Sequence, residues 1–259
     1  MRGVVYDTGH HNSTPVCEAF AAGAGWPIEA LKRRKLGDLR PCFFYGMKRG
    51  GRSLYNECIG DRRKFFFGDN GYFGRRWQPG GYYRIGAGHW IEAPIAAPDP
   101  ERWASHGIPI LPWREAGRQV LVSAINPEYA ATWQFDGEAW LQAAVAAIQK
   151  RGRRKILVMH KSTDPRFDPK APPLSEQLAG AHALVTRDSN VCIEALCAGV
   201  PIFVTGRHPA RTLALADLSR IETPALAAGR EDLMARLAAN QWTLAEFAAG
   251  VPQRALGIV

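Results

Sequence analysis

No apolar run in this 259-residue chain is long enough to cross a bilayer, and Met1-Arg2-Gly3-Val4-Val5-Tyr6 leads into a polar turn instead of a signal-peptide core. A soluble, cytosolic protein with no membrane partner is therefore expected. Cysteine is scarce and scattered: Cys17, Cys42, Cys58, Cys192 and Cys197 form no CxxC pair and no zinc spacing. An odd, dispersed set of this kind argues against a disulfide framework and reads as buried, reduced thiols. No internal repeat and no low-complexity tract breaks the chain. Acidic residues are the minority among charges, with 33 Lys and Arg against 24 Asp and Glu, for a net +9.

The excess is unevenly spread. Basic clusters stand at Lys32-Arg33-Arg34-Lys35, Lys48-Arg49, Arg62-Arg63-Lys64, Arg75-Arg76 and Lys150 to Lys155, and all but the last lie in the first part of the chain. Positive charge gathered on one half suits a polyanionic partner, although a solvated basic surface has the same composition. A hydrophobic fraction of 46% is enough for one large domain or two small α/β domains.

The order of apolar runs and turns favours two. In the first half, strands are expected at Gly3–Tyr6, Pro41–Tyr45, Lys64–Phe67 and Tyr82–Gly86, with a helix over Thr14–Ala24 that carries Pro15 in its first turn. The Pro-rich stretch Pro94–Pro112 lacks periodicity and reads as a connection. Beyond it, strands at Gln119–Ser123, Lys155–Met159, Ala183–Val185 and Ile202–Val204 alternate with helices at Gly137–Lys150 and near Ser175. Alternation of this kind implies a parallel sheet covered on both faces, with ligands at the carboxyl ends of its strands. Ser123, His160, Lys161, Arg187, Ser189 and Gly206 would then share one edge. A helical tail follows, Arg230–Asn240 and Thr243–Ala249, with Thr243 as cap. The expected division is residues 1–113, 114–235 and a tail, 236–259, that packs back on the first domain.

One segment carries more chemistry than the rest. Val185-Thr186-Arg187-Asp188-Ser189-Asn190 leads from strand to helix, Glu194 lies one turn further in, and Gly199-Val200-Pro201 closes the unit before the next strand. Unpaired N–H groups at a helix start favour an anion, which suits a pyrophosphate on Ser189 and Asn190 and ribose hydroxyls on Glu194. An ordinary βαβ unit with a polar cap has the same pattern.

The Ser189-Asn190-x-x-x-Glu194-Ala195-x-x-x-Gly199-x-Pro201 segment resembles the donor motif of GT-B glycosyltransferases, which sugar-nucleotide epimerases share. Asp69-Asn70-Gly71-Tyr72-Phe73-Gly74-Arg75, Tyr82-Tyr83-Arg84 and Asn240-Gln241-Trp242-Thr243-Leu244-Ala245-Glu246 resemble elements of small glycosyltransferase-like proteins of tailed bacteriophages. The resemblance implies an α/β, GT-B-like fold of two Rossmann-like domains facing a central cleft, and hexosyl transfer from a nucleotide sugar, UDP-glucose by resemblance. Its preferred acceptor is 5-hydroxymethylcytosine in phage DNA. Alternatives are a surface-polysaccharide or lipid-linked glycosyltransferase, an epimerase-like protein and a DNA-binding module without catalysis.

Sugar transfer needs a base for the acceptor hydroxyl and positive or N–H groups for the leaving diphosphate. Asp69 follows the apolar Phe65-Phe66-Phe67 run and is the expected base, with Gly68 and Gly71 leaving room for substrate; Asp69-Asn70-Gly71 also reads as a plain turn. Lys161, Arg187, Ser189 and Ser123 are expected at the donor, with Arg207 and His208 behind them. Gly9 and His10 close the first strand and would face donor or acceptor, while adjacent His10 and His11 should point apart. Arg75, Arg76, Tyr72, Trp77, Arg84 and His89 interleave charge with rings, as phosphate contacts and base stacking on DNA would require. Rings stacked on a saccharide acceptor would read the same way. No DxD element calls for a divalent ion, and a monomer without an obligatory cofactor is expected.

Overall fold

A computed structural model describes residues 3–74, 80–88, 96–160 and 172–259. In chain order the strands and helices are β1 (Val4–Asp7), α1 (Thr14–Ala24), β2 (Ile28–Ala30), β3 (Cys42–Tyr45), α2 (Gly51–Gly60), β4 (Phe65–Asn70), β5 (Tyr82–Ala87) and α3 (Pro100–Ser105). They continue with β6 (Gln119–Ser123), α4 (Pro127–Trp133), α5 (Gly137–Arg151), β7 (Lys155–Met159), α6 (Leu174–Ala179), β8 (Ala181–Thr186), α7 (Val191–Cys197) and β9 (Ile202–Val204). The chain ends with α8 (Arg230–Ala239), β10 (Gln241–Thr243), α9 (Leu244–Ala248) and α10 (Val251–Ala255). Two units result: Met1–His106 with Met234–Val259, and Gly107–Leu233.

The first unit holds a sheet of order β10-β5-β4-β3-β1-β2. Its strands β1 to β4 run parallel, but β5 is antiparallel to β4 and β10 antiparallel to β5. The sheet is therefore mixed, not the wholly parallel sheet of the expected Rossmann-like domain. Cys42-Phe43-Phe44-Tyr45 and Phe65-Phe66-Phe67 are buried at every position, as strands covered on both faces must be. Phe20 of α1 stacks on Phe43, ring centroids 3.8 Å apart, and Phe247 of the tail meets Phe20, Phe43, Tyr83 and Trp242 edge-on. The tail comes this close because α1 carries Gly23, where a Cβ would lie 2.0 Å from the Phe247 carbonyl oxygen. Buried Gln253 then donates to the Phe20 and Phe247 carbonyls, at 3.0 Å each.

The second unit is a parallel sheet, β7-β6-β8-β9. Val120, Val122, Val185 and Phe203 form its core with Leu141 and Ile148 of α5. Because all four strands point the same way, Ser123, His160, Arg187 and Gly206 follow their carboxyl ends along one edge, as expected for a ligand-binding α/β sheet.

Other features also differ from the sequence reading. Helices α2 and α4 were not anticipated. The connection holds α3, capped by Asp99, whose Arg102 donates to the carbonyls of Ala238 and Gln241 and pairs with Glu246. Residues through His106 therefore belong to the first unit, and the boundary falls after His106, not Trp113. Gly68, Asp69 and Asn70 form no turn; they extend β4 against β5. All five cysteines are buried and free.

Candidate functional site

In the first unit the site grows from the end of β4. The ladder sets Asp69 opposite Arg84 and Asn70 opposite Tyr83. Arg84 Nη2 donates to Asp69 Oδ2 at 2.7 Å, with Arg84 only 6% exposed and Asp69 35% exposed. The Asn70 amide donates to Asp69 Oδ1 at 2.8 Å, and Tyr45 Oη donates to Asn70 Oδ1 at 2.9 Å. The carboxylate is thus held from the protein side and open on the other. That is the geometry a positioned base requires.

Arg84 and Tyr72, expected on a DNA-binding face, are both buried. The Arg84 guanidinium lies over the Tyr72 ring, 5.2 Å from its centroid, and burial pushes the Tyr72 hydroxyl pKa up against the pull of that charge. Both are used inside the fold, Arg84 on the Asp69 carboxylate and Tyr72 beneath the Arg84 guanidinium. Gly68 and Gly71 make room for protein and not for substrate. A Cβ on Gly68 would sit 2.8 Å from the Phe43 ring, and one on Gly71 would sit 2.8 Å from Gln241 Oε1. Arg75, Arg76, Trp77, His89 and Lys161 lie outside the described residues.

The three elements singled out around Asp69, Tyr82 and Asn240 meet in this one place. Gln241, Trp242 and Thr243 pair with Arg84, Tyr83 and Tyr82. Sequence reasoning missed Gln241 because a buried glutamine on a three-residue edge strand has no pattern of its own. The signal was its place within a motif already noted.

At the carboxyl end of β1, Asp7 accepts from the Gly9 amide and from the Ser13 and Thr14 hydroxyls. Asp7 is therefore turn and helix chemistry. Gly9 adopts φ +70° with open space beside it, and His10 Nδ1 accepts from the Asn12 amide at 3.2 Å. The His10 and His11 rings do not point apart; their centroids are 4.1 Å from each other. Among the described residues no group of three or more His, Cys, Asp or Glu could hold a metal.

In the second unit, the first amides of α7 are not vacant as expected. Val191 N donates to Ser189 Oγ at 3.4 Å, Cys192 N to the Ser189 carbonyl and Ile193 N to the Asn190 carbonyl. Ser189 itself is fixed by its amide on Thr186 Oγ1 at 3.1 Å. Helix α7 has only seven residues, so its own dipole is slight, and any anion held here would rest on side chains. Asn190 fits that role. His208, expected at a phosphate, is buried; its Nδ1 accepts from the Ala210 amide at 3.1 Å, which puts the proton on Nε2. Nε2 then donates to Asn190 Oδ1 at 2.9 Å, which fixes the Asn190 side chain. Glu194 lies half-buried one turn into α7, and Ser123 is buried at the end of β6. Arg187 is partly committed: its guanidinium covers the Phe135 ring at 3.9 Å and pairs with Asp188, which also accepts from Tyr129 Oη at 3.0 Å. Burial raises the Asp188 pKa, and the Arg187 charge opposes it.

Arginines of the first unit also serve its fold, Arg34 and Arg63 of the basic clusters among them. Arg34 pairs with Glu57, Arg40 with Glu29 and Asp38, and Arg63 donates to the Arg40 carbonyl beneath the Tyr6 ring. Lys32, Arg33, Lys35, Arg49 and Arg62 remain exposed.

No protein-family profile and no curated protein matches the chain. Solved structures do. The β-Kdo 2,4 transferase of Thermosulfurimonas dismutans KpsC matches 92% of this chain and 90% of its own at TM-score 0.54, with 12% identity. The β-Kdo 2,7 transferase of the same KpsC matches 98% of this chain and 99% of its own at TM-score 0.56, again with 12% identity. The fold of this chain is α/β and GT-B-like over essentially its whole length.

Proposed function

We propose that this protein is a glycosyltransferase that moves an acidic sugar such as Kdo from a nucleotide-activated donor to a saccharide acceptor. The observation that carries the reading is Asp69, a carboxylate open on one side and fixed by a buried arginine on the other. It stands in a chain whose full length follows the fold of two Kdo transferases. Asp69 takes the proton of the attacking hydroxyl. The leaving nucleotide falls to Ser189, Asn190, Arg187 and Glu194 at the strand edge of the second unit, with Asn190 supplying N–H donors to phosphate oxygens. A net charge of +9 serves an anionic sugar or saccharide as readily as a nucleic acid.

A surface-polysaccharide substrate fits these relatives better than hydroxymethylated DNA does. The charge excess is what still favours DNA, and the use of Arg34, Arg40, Arg63 and Arg84 within the fold weakens it. The test is a donor panel containing nucleotide-activated Kdo and UDP-glucose, offered with a Kdo-ended oligosaccharide or with hydroxymethylcytosine DNA and followed by mass spectrometry. A mass gain of one sugar on the oligosaccharide is expected. A gain on DNA alone would establish the DNA reading, and no gain with any pair would sink both.

A further inference from the structure

We infer that Gln241 is a positioning residue for the candidate base, fixing the Asp69 carboxylate through the Gly71–Phe73 backbone. This deepens the proposed function and rests on Asp69 being the base. Gln241 is wholly buried, so its amide must find partners inside the protein. Its Oε1 accepts from the Tyr72 and Phe73 amides at 2.7 and 2.9 Å, and its Nε2 donates to the Phe73 carbonyl at 3.2 Å. Nε2 also lies 3.2 Å from His106 Nε2. A single side chain therefore holds two consecutive backbone units directly after the strand that carries Asp69.

The same segment is also held by β5. Gly71 N donates to the Tyr82 carbonyl at 2.9 Å, and Tyr82 N donates to the Gly74 carbonyl at 2.6 Å. Arg84, the ion-pair partner of Asp69, is also the residue opposite Gln241 in the β5–β10 ladder. The Asp-x-Gly spacing acquires a physical reason here. Any Cβ at Gly71 would crowd Gln241 Oε1 at 2.8 Å and the Tyr82 backbone at 2.9 Å, so glycine is what lets the amide reach its partners. Without Gln241, two buried N–H groups and a carbonyl lose their partner, and the chain past Asp69 is released. Displacing a catalytic group by about 1 Å can cost about a hundredfold in rate.

The test compares wild type with Gln241→Met, which fills the space without hydrogen bonding, and Gln241→Glu, which keeps an oxygen to accept from both amides. Turnover is counted per donor-binding site, so a loss of folded protein does not register. Gln241→Met should lower turnover by about tenfold or more with the donor KM within about twofold, and Gln241→Glu should recover most of the loss. As the introduced carboxyl ionises it cannot donate to the Phe73 carbonyl, so the ratio of Gln241→Glu to wild-type turnover should fall with rising pH. Wild-type turnover by Gln241→Met overturns the inference, as does a Gln241→Glu variant no better than Gln241→Met. If Gln241→Met does not fold, a pH-independent Gln241→Glu ratio overturns it. Asp69→Asn is measured alongside: if it turns over normally, the reading of Asp69 fails and this inference with it. If Asp69→Asn is inactive while Gln241→Met is normal, only this inference fails.

Discussion

Exchanging Asp69 for Asn separates the two roles of its carboxylate, holding Arg84 and accepting a proton. The amide oxygen of Asn replaces only one carboxylate oxygen: it can accept from Arg84 Nη2 as Oδ2 does at 2.7 Å, while the Asn70 amide, which donates to Oδ1 at 2.8 Å, turns to solvent on the open side. What is lost is charge and one internal acceptor. A hydrogen bond to a charged group contributes about 1.5–3 kcal/mol and a neutral one about 0.5–1.5. Asp69 is 35% exposed, so solvent screens part of that difference, and about 0.5–1 kcal/mol is the expected loss of stability. Asp69→Ala goes further, because a guanidinium only 6% exposed loses its carboxylate. Breaking a fully buried pair costs about 3–5 kcal/mol, and the open side of this one brings the figure nearer to about 2 kcal/mol. For a protein of this size about 1 kcal/mol moves the Tm by about 3 °C, so thermal unfolding should drop by about 2–3 °C for Asn and about 6 °C for Ala. Turnover should fall by about a hundredfold or more in both. The signature is a small, graded loss of stability beside a large, nearly equal loss of transfer, read by thermal unfolding and single-turnover kinetics. Near wild-type transfer by Asp69→Asn would refute the catalytic role, and an Asp69→Ala chain as stable as wild type would refute the ion pair.

His208→Ala should leave Asn190 unfixed, raising the donor KM by about five- to tenfold with a smaller change in turnover; titration of donor binding checks it, and unchanged affinity would separate Asn190 from the donor. The Asp38 carboxyl lies well below its ordinary value, held there by the Arg40 guanidinium against burial, with Tyr6 and Arg63 adding to it. Its folded pKa is depressed, so its stabilisation is present above the ordinary value of 3.8 and is lost as pH falls through the folded value. Asp38→Asn should therefore be less stable than wild type near neutrality and lose less of its stability on acidification, as thermal unfolding at a series of acidic pH values would show.

Where local chemistry and tertiary packing agree, the sequence was readable to the residue. Helix α1 spans the expected Thr14–Ala24, with Pro15 in its first turn. Thr243 caps α9 in a reciprocal box with Glu246. The run from Ala181 through Val204 folds as strand, polar turn, helix and strand. Where the two conflict, packing prevailed. Gly68-Asp69-Asn70 has turn chemistry, yet pairing with β5 and the buried Phe65–Phe67 run draw it into the sheet. Helix α2 was hidden by Gly50-Gly51 at its start, and Gly50 does take φ +95° there. Helix α4 buries only Ala130, so its apolar signal is faint, although Asn126 and Pro127 marked its start.

The candidate site was half legible for a different reason. A carboxylate after an apolar strand can be seen in one dimension, but its partners come from the far end of the chain. Gln241 lies 169 residues beyond Tyr72, and only the antiparallel entry of β10 beside β5 brings the two together. The same limit governs charge. Net +9 is a property of the sequence, whereas the charge available to a ligand depends on which arginines the fold has already paired. Arg84 shows the consequence most clearly. Read along the chain, it belongs to a run of cations and rings suited to a nucleic acid. Buried opposite Asp69, it fixes the carboxylate of the candidate base. An arginine that binds a carboxylate inside the fold cannot also hold a phosphate outside it, so moving Arg84 from one role to the other strengthens the enzyme reading and weakens the DNA one in the same step.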